Sequence, residues 1–365
     1  MIKRPSLPDL SLFERHFQRL RVSISPKKES DTLSKSQGFD IKGALLDMSL
    51  STMTEFLLGA EATLATTDYQ APRWTDEIAA ELTVAFDWIS KRERFKGFYW
   101  LVDGLEFRKA CKNAKLLVEK LVCYAMECRK TEKSRTASTE SYVAFESLLR
   151  QERNPEPIRD QFMSPVLAGR DSSGSLLCWM LYALAREPHL AHDLSTEIQS
   201  VVGTDKSRRP DNKELNSMIK LDQFVCESKC PEPHEPTDVR ADSLPRAPAA
   251  LRLFPPVPLN GRFATKDTLL PRGGVEYGDA PILIPKGTLA AFSTFAAQRD
   301  RNLYGQDANE FRLERWDDDA IKQRRMVDWS YLPFLAGPRK CLGGKVIKTV
   351  SANVCPDRLI ILAIV

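Results

Sequence analysis

Apolar residues recur at three-to-four spacing from about Asp9 to Met126, in "FERHFQRL", "IKGALLDMSLSTMTEFLLGAEA", "WTDEIAAELTVAFDWIS" and "FRKACKNAKLLVEKLVCYAM". That period places one face of each segment against a core and predicts four amphipathic helices. Between the last two lies "RFKGFYWLVDG", where Phe95, Phe98, Tyr99 and Trp100 form an aromatic run read first as core or inter-helix packing and, as the alternative, as a substrate entrance. After the polar loop "RKTEKSRTASTESYV", the longest helix is expected over Pro157–Glu187, stopped by Pro188. "AHDLSTEIQSVVG" reads as another helix closed by Gly203, and "DNKELNSMIKLDQFVCES" begins a further one.

The pattern breaks at Lys229. "KCPEPHEPTDVRADSLPRAPAA", residues 229–250, carries five prolines in 22 residues and has no apolar period, so it cannot continue a helix. Beyond it, "FPPVPLNGRFATKDTLLPRGG" and "APILIPKGTLAAFSTFAA" read as short strands punctuated by proline and glycine. "DANEFRLERW" is irregular, and the tail "VIKTVSANVCPDRLIILAIV" is apolar without an amphipathic plan. No internal repeat is present, which excludes a solenoid.

Composition narrows the class. The chain has 365 residues, 42% of them hydrophobic and 28% charged, which suits a folded soluble protein. A net charge of +4 from scattered cations offers no nucleic-acid or membrane-surface footprint. No apolar run reaches the length of a spanning helix, and "MIKRPSLPDL" lacks a signal core, so the chain as written reads as neither anchored nor exported. Eight irregularly spaced cysteines do not make a disulfide framework, and a reducing compartment is expected.

One cysteine stands apart. "PFLAGPRKCLGG" reads F-x-x-G-x-R-x-C-x-G through Phe334, Gly337, Arg339, Cys341 and Gly343. Glycines let the backbone approach a flat cofactor, a thiolate ligates a metal, an arginine reaches an anionic group, and an aromatic screens the sulfur. In the longest helix, "AGRDSS" (Ala168–Ser173) sets an acid and a hydroxyl in mid-helix beside Gly169, choices that oppose helix formation and so point to a site; Asp171 can also be read as a solvated or capping residue.

Together these motifs resemble those of the cytochrome P450 monooxygenases. The resemblance runs from about residue 5 to Gly343. "RLFPPVPLNGRFATKDTLLPRGG", "PILIPKG" and "NLYGQDANEFRLERW" make it similar to the fungal branch that hydroxylates n-alkanes and fatty acids. It implies a mainly α fold with small β elements and a haem b whose iron is bound by Cys341. Phe334, Gly337, Arg339 and Gly343 would surround the haem and Arg262 would sit near a propionate. Gly169 would make room for dioxygen, while Asp171 and Ser172 would relay protons. Ser172 stands where the family usually has threonine. Pro258, Leu259 and Asn260 would line the substrate channel. Glu227, Arg252 and Arg315 would form a structural ion cluster, and Leu313 replaces the usual proline. Electrons would come from NADPH through a flavoprotein reductase, and the substrate would be an apolar, chain-like molecule.

Departures from the family are equally legible. The family's opening anchor, small sheet and first helices have no counterpart before residue 1, so the fold is expected to be incomplete at the N-terminus. Residues 344–365 do not match the family, and Pro356 would break the helix expected there. Arg252 has Ala249 three residues before it, yet excising residues 229–250 brings Glu227, Ser228, Leu251 and Arg252 into the family's E-x-x-R string. The stretch therefore reads as a retained intron or insertion within a single incomplete domain, residues 1–365. The resemblance implies the endoplasmic reticulum membrane for the family, whereas this chain, read as lacking an anchor, is expected to be cytoplasmic or of unknown location.

Other constellations carry less. Cys226, Cys230 and His234 have ligand-like spacing, but Pro231, Pro233 and Pro236 forbid the helix that would align them for zinc. His16, His189 and His192 have no Ser or Asp partner at readable spacing. The rival to an oxygenase is a non-catalytic remnant of one, because losing part of a core erodes a net stability of only about 5 to 15 kcal/mol.

Overall fold

The computed structural model describes residues 10–24, 40–58, 74–132, 148–203, 212–225, 249–274, 278, 280–311, 331–335, 340–341 and 343. It is mainly helical with two small sheets, and its contacts group into two compact units, Met1–Gln199 with Leu342–Val365, and Ser200–Cys341.

The first unit is built on helices α1 (Leu10–Ile24), α2 (Ile41–Leu58), α3 (Trp74–Arg94), α4 (Leu105–Glu132) and α5 (Pro155–Arg186). α2 is buried on more than one face, with Leu45, Leu50, Met53 and Leu58 all inside. A helix this apolar all round belongs at the centre of a bundle. It packs most extensively on α5 and also meets α1 and α3, while α4 lies against α3 and α5. The buried stripe of α5 runs Ile158, Phe162, Val166, Arg170, Ser173, Leu177, Leu181 and Leu184 at helical spacing. Asn154 caps it, its side chain accepting from the N–H of Glu156, with Pro155 in the first turn where the missing donor costs nothing. Pro188 does end the helix, but it also opens α6 (Pro188–Val202), and Gly203, at φ +88°, closes α6 as expected.

One expectation needs correction here. The aromatic run is not core. It forms a 3-10 turn, Lys96–Leu101, in which Phe98 and Trp100 are 64% and 61% exposed. Its anchor is Arg92, which lies 5.1 Å over Tyr99 and 5.0 Å over Phe107 and donates to the Val102 carbonyl. Six residues in so tight a turn splay their side chains in three directions and cannot bury them together. His16, for which sequence offered no Ser or Asp partner, meets a glutamate instead. It is buried, its Nε2 lies 2.7 Å from Glu55 on α2, and Arg15 completes an ion cluster on the same carboxylate.

In the second unit, "DNKELNSMIKLDQF" forms two short helices, α7 (Asn212–Ser217) and α8 (Ile219–Val225). α9 (Ala249–Leu253) follows, so the last two alanines of the proline-rich stretch start a helix; residues 229–248 lie outside the described residues. Strands β1 (Leu259–Phe263) and β4 (Leu289–Ser293) pair antiparallel, as do β2 (Thr268–Gly274) and β3 (Ala280–Ile284). Pro271 falls where the β2–β3 register shifts, because proline has no N–H for the ladder. Two short helices, α10 (Thr294–Ala297) and α11 (Arg301–Tyr304), lead into a small cluster of Tyr304, Ala308 and Tyr331. Among the described residues no helix is long and apolar enough to cross a membrane.

Candidate active site

The residues expected from sequence divide between the two units. Gly169, Asp171 and Ser172 lie on α5 in the first. Phe334, Cys341, Arg252, Arg262, Pro258, Leu259 and Asn260 belong to the second, and Gly343 to the first. Gly337, Arg339, Glu227 and Arg315 fall outside the described residues.

Around Cys341 the loop is closed by a backbone bond from the Cys341 N–H to the Phe334 carbonyl, 2.9 Å. Phe334 is buried, whereas Cys341 is exposed and not in a disulfide. Leu335 takes a positive φ of 58°, a strained turn for a residue with a branched side chain, which the closing bond holds in place. Burial pushes the thiols of Cys111, Cys123 and Cys178 up, so each stays protonated and poorly ligating. The donor chemistry at Cys341, an accessible sulfur on a loop anchored by a buried aromatic, fits an iron ligand.

On α5, Ser172 Oγ donates to the Ala168 carbonyl at 2.6 Å. Asp171 is 39% exposed and pairs through Oδ1 with Arg170 Nη1 at 2.8 Å. Arg170 itself is buried, and its Nη2 donates to Thr83 Oγ1 on α3 at 2.9 Å. The room that Gly169 makes is taken: a Cβ there would lie 2.5 Å from Met53 Cγ. Gly174 likewise admits Leu46, whose Cδ2 would be 2.7 Å away. These glycines let α2 approach α5, a packing role the motif alone did not disclose.

On β1, strand alternation sends Leu259 and Phe263 to one face and Asn260 and Arg262 to the other. The three residues expected to line one channel are thus not on a single face. Arg262 is exposed, with Nη1 turned back on the Gly261 carbonyl, and Asn260 bonds the Val257 carbonyl.

Arg252 is completely buried. Its Nη1 donates to the carbonyls of Gln298 and Ala308, its Nη2 to that of Glu310, and Tyr304 lies 5.0 Å beneath the guanidinium. Gln298, also buried, returns two donors to the carbonyls of Leu251 and Arg252 and accepts from the Leu332 N–H. Thr83 and Gln298 lie in no spacing pattern and were invisible in sequence, and Arg170 was missed within the α5 period. The one available signal was an arginine at an apolar position of the α5 stripe.

The cytochrome P450 family profile matches residues 17–228 and 250–347. Cytochrome P450 52A10 of Candida maltosa is 32% identical over 365 aligned residues, 96% of this chain and 63% of its own length. Cytochrome P450 monooxygenase g430 of a Fusarium species is 31% identical over 350, covering 93% and 56%. The chain thus spans about three fifths of the length of the curated relatives it matches. The profile accounts for most of the sequence and includes both motif-bearing regions, and on that ground the chain belongs to the cytochrome P450 family.

Proposed function

We propose that the chain carries the haem-binding and proton-delivery parts of a monooxygenase that inserts one oxygen atom of dioxygen into a C–H bond of an n-alkane or fatty acid. Electrons would come from NADPH through a flavoprotein reductase. The observation that carries the reading is the exposed Cys341 thiol on a loop closed against buried Phe334, while burial keeps the thiols of Cys111, Cys123 and Cys178 protonated. When bound, the haem supplies the iron at which dioxygen is activated.

The chain's own residues divide the remaining work. Cys341 would hold the iron as thiolate, Gly337 and Gly343 would let the backbone approach the haem, and Arg339 and Arg262 would neutralise the propionates. Asp171 is open enough to exchange protons with water. Ser172 donates its hydroxyl proton to the Ala168 carbonyl, so a relay through it requires the hydroxyl to rotate off that carbonyl, donating its own proton forward while it accepts one from a donor behind it. Leu259 and Phe263 offer an apolar strand face consistent with a hydrocarbon substrate, with Pro258 and Asn260 at its margin. Glu227 and Arg315 would complete the cluster around Arg252. Residues 229–249 are skipped by the family profile, which supports reading the stretch as an insertion.

A reduced, carbon-monoxide difference spectrum of the haem-reconstituted chain tests the reading. A thiolate-type band is expected in the parent and in Cys178→Ala, and its loss in Cys341→Ala. A parent without that band would leave the non-catalytic remnant as the better account.

A further inference from the structure

Arg170 occupies a place where an apolar residue would be cheaper. It stands four residues after Val166 in the buried stripe of α5 and is only 4% exposed. Of its nitrogens, Nη1 meets Asp171 Oδ1 at 2.8 Å and Nη2 meets Thr83 Oγ1 at 2.9 Å, while the buried Nε donates to nothing among the described residues. A desolvated guanidinium with an unused donor is a poor stabilising device, and a well-packed apolar side chain often does as well or better. Its retention calls for another reason.

The geometry around Thr83 supplies one. Thr83 Oγ1 donates to the Ala79 carbonyl one turn earlier on α3, at 2.8 Å. With its only proton committed there, the hydroxyl can present nothing but lone pairs to Arg170. The guanidinium is planar, so fixing Nη2 on α3 also fixes the direction in which Nη1 points. The Asp171 carboxylate is then held by a group whose orientation is set 87 residues away. Without that hold, a 39% exposed aspartate on a helix surface would sample several rotamers.

We infer that Arg170 is a positioning residue for Asp171, with Thr83 as its anchor, so that the α3–α5 contact sets the direction of the proton-delivering carboxylate. The inference rests on the proton-delivery role proposed for Asp171, but the orienting geometry can be tested without turnover. Four variants serve: Arg170→Met, Arg170→Lys, Thr83→Val and Asp171→Asn.

The first readout is the side-chain carboxylate 13C resonance of Asp171 in the isotopically labelled chain. Arg170→Met and Thr83→Val should both move it, although Thr83 is not a partner of Asp171, and Arg170→Lys, which keeps the charge but has no planar fork to join Thr83 to Asp171, should not restore the parent position. The second is hydrogen peroxide released per electron delivered to the haem-loaded chain. Arg170→Met should raise the leak roughly tenfold, toward the level of Asp171→Asn, since misplacing a reacting group by an ångström can cost about that much or more. The double variant Arg170→Met, Asp171→Asn should leak no more than Asp171→Asn alone. Thermal unfolding separates this from a structural tie: Arg170→Met should keep or raise the parent midpoint.

An unmoved Asp171 resonance in Arg170→Met or Thr83→Val overturns the inference. So does a fall in midpoint of more than about ten degrees in Arg170→Met together with unchanged peroxide leakage. A missing carbon-monoxide band defeats the functional reading instead, and the resonance then decides the orienting role alone.

Discussion

Alanine at Gly169 or Gly174 should destabilise the first unit, against the ordinary effect of the substitution. In a helix interior, glycine to alanine is usually worth about 1 kcal/mol of added stability. At Gly169 the new methyl carbon would stand 2.5 Å from Met53 Cγ and 2.8 Å from its sulfur, well inside ordinary carbon contact. Met53 is itself buried and has little space to retreat into. Overpacking of this kind costs about 1 to 3 kcal/mol, so the net loss is about 0 to 2 kcal/mol. At Gly174 the methyl would meet Leu46 Cδ2 at 2.7 Å and also its Cα at 3.2 Å. Backbone cannot swing aside as a thioether can, so Gly174→Ala should cost about 1 kcal/mol more than Gly169→Ala. Urea titration followed by far-ultraviolet circular dichroism and by the fluorescence of Trp88 and Trp179 reads both differences. Met53→Ala gives the internal control. By itself it costs about 2 to 5 kcal/mol, but combined with Gly169→Ala it should cost less than the sum, because the added methyl occupies part of the vacated volume. A stabilised Gly169→Ala, or strict additivity with Met53→Ala, would falsify the close-packing argument.

Burial pushes the Glu55 carboxyl up, but hydrogen bonds from His16 and Arg15, with their charge, outweigh it and hold it below the ordinary glutamate range. The cluster's contribution is therefore complete above the unfolded value of about 4.3 and is lost as pH falls through the lowered folded value. Urea midpoints measured from pH 6 down to 3 should fall steeply in the parent and more gently in Glu55→Gln, and parallel curves would refute the assignment. Arg252→Leu should cost about 2 to 6 kcal/mol, because it leaves the buried carbonyls of Gln298 and Ala308 without donors at about 1 to 3 kcal/mol each, with Arg252→Lys intermediate; a loss under about 1 kcal/mol by thermal unfolding counts against this. Deleting residues 229–250, which sets Glu227 three residues before Arg252, should raise both the thermal midpoint and haem retention, and no gain in either would make the stretch a tolerated loop.

Much of the architecture was legible before any coordinates, for a local reason. α5 was expected over Pro157–Glu187 and spans Pro155–Arg186, because a 3.6-residue period, a first-turn proline and Pro188 all act within a few residues of where they stand. Gly203 closes α6 because the left-handed backbone it adopts is costly for other residues. The expectation for Cys341 was likewise local, resting on glycines, an arginine and a phenylalanine all within ten positions. What tertiary structure decided is which faces meet. The glycines of α5 could be seen to weaken a helix, but that Met53 and Leu46 fill the space beside them depends on α2 crossing at that height. The aromatic run was apolar in sequence and exposed in the fold, because a short turn leaves its side chains without a common partner. His16 found Glu55 across 39 residues and Arg170 found Thr83 across 87. Such pairs follow no period: a hydrogen bond senses only distance and angle, and those arise once helices with independent local causes have packed together.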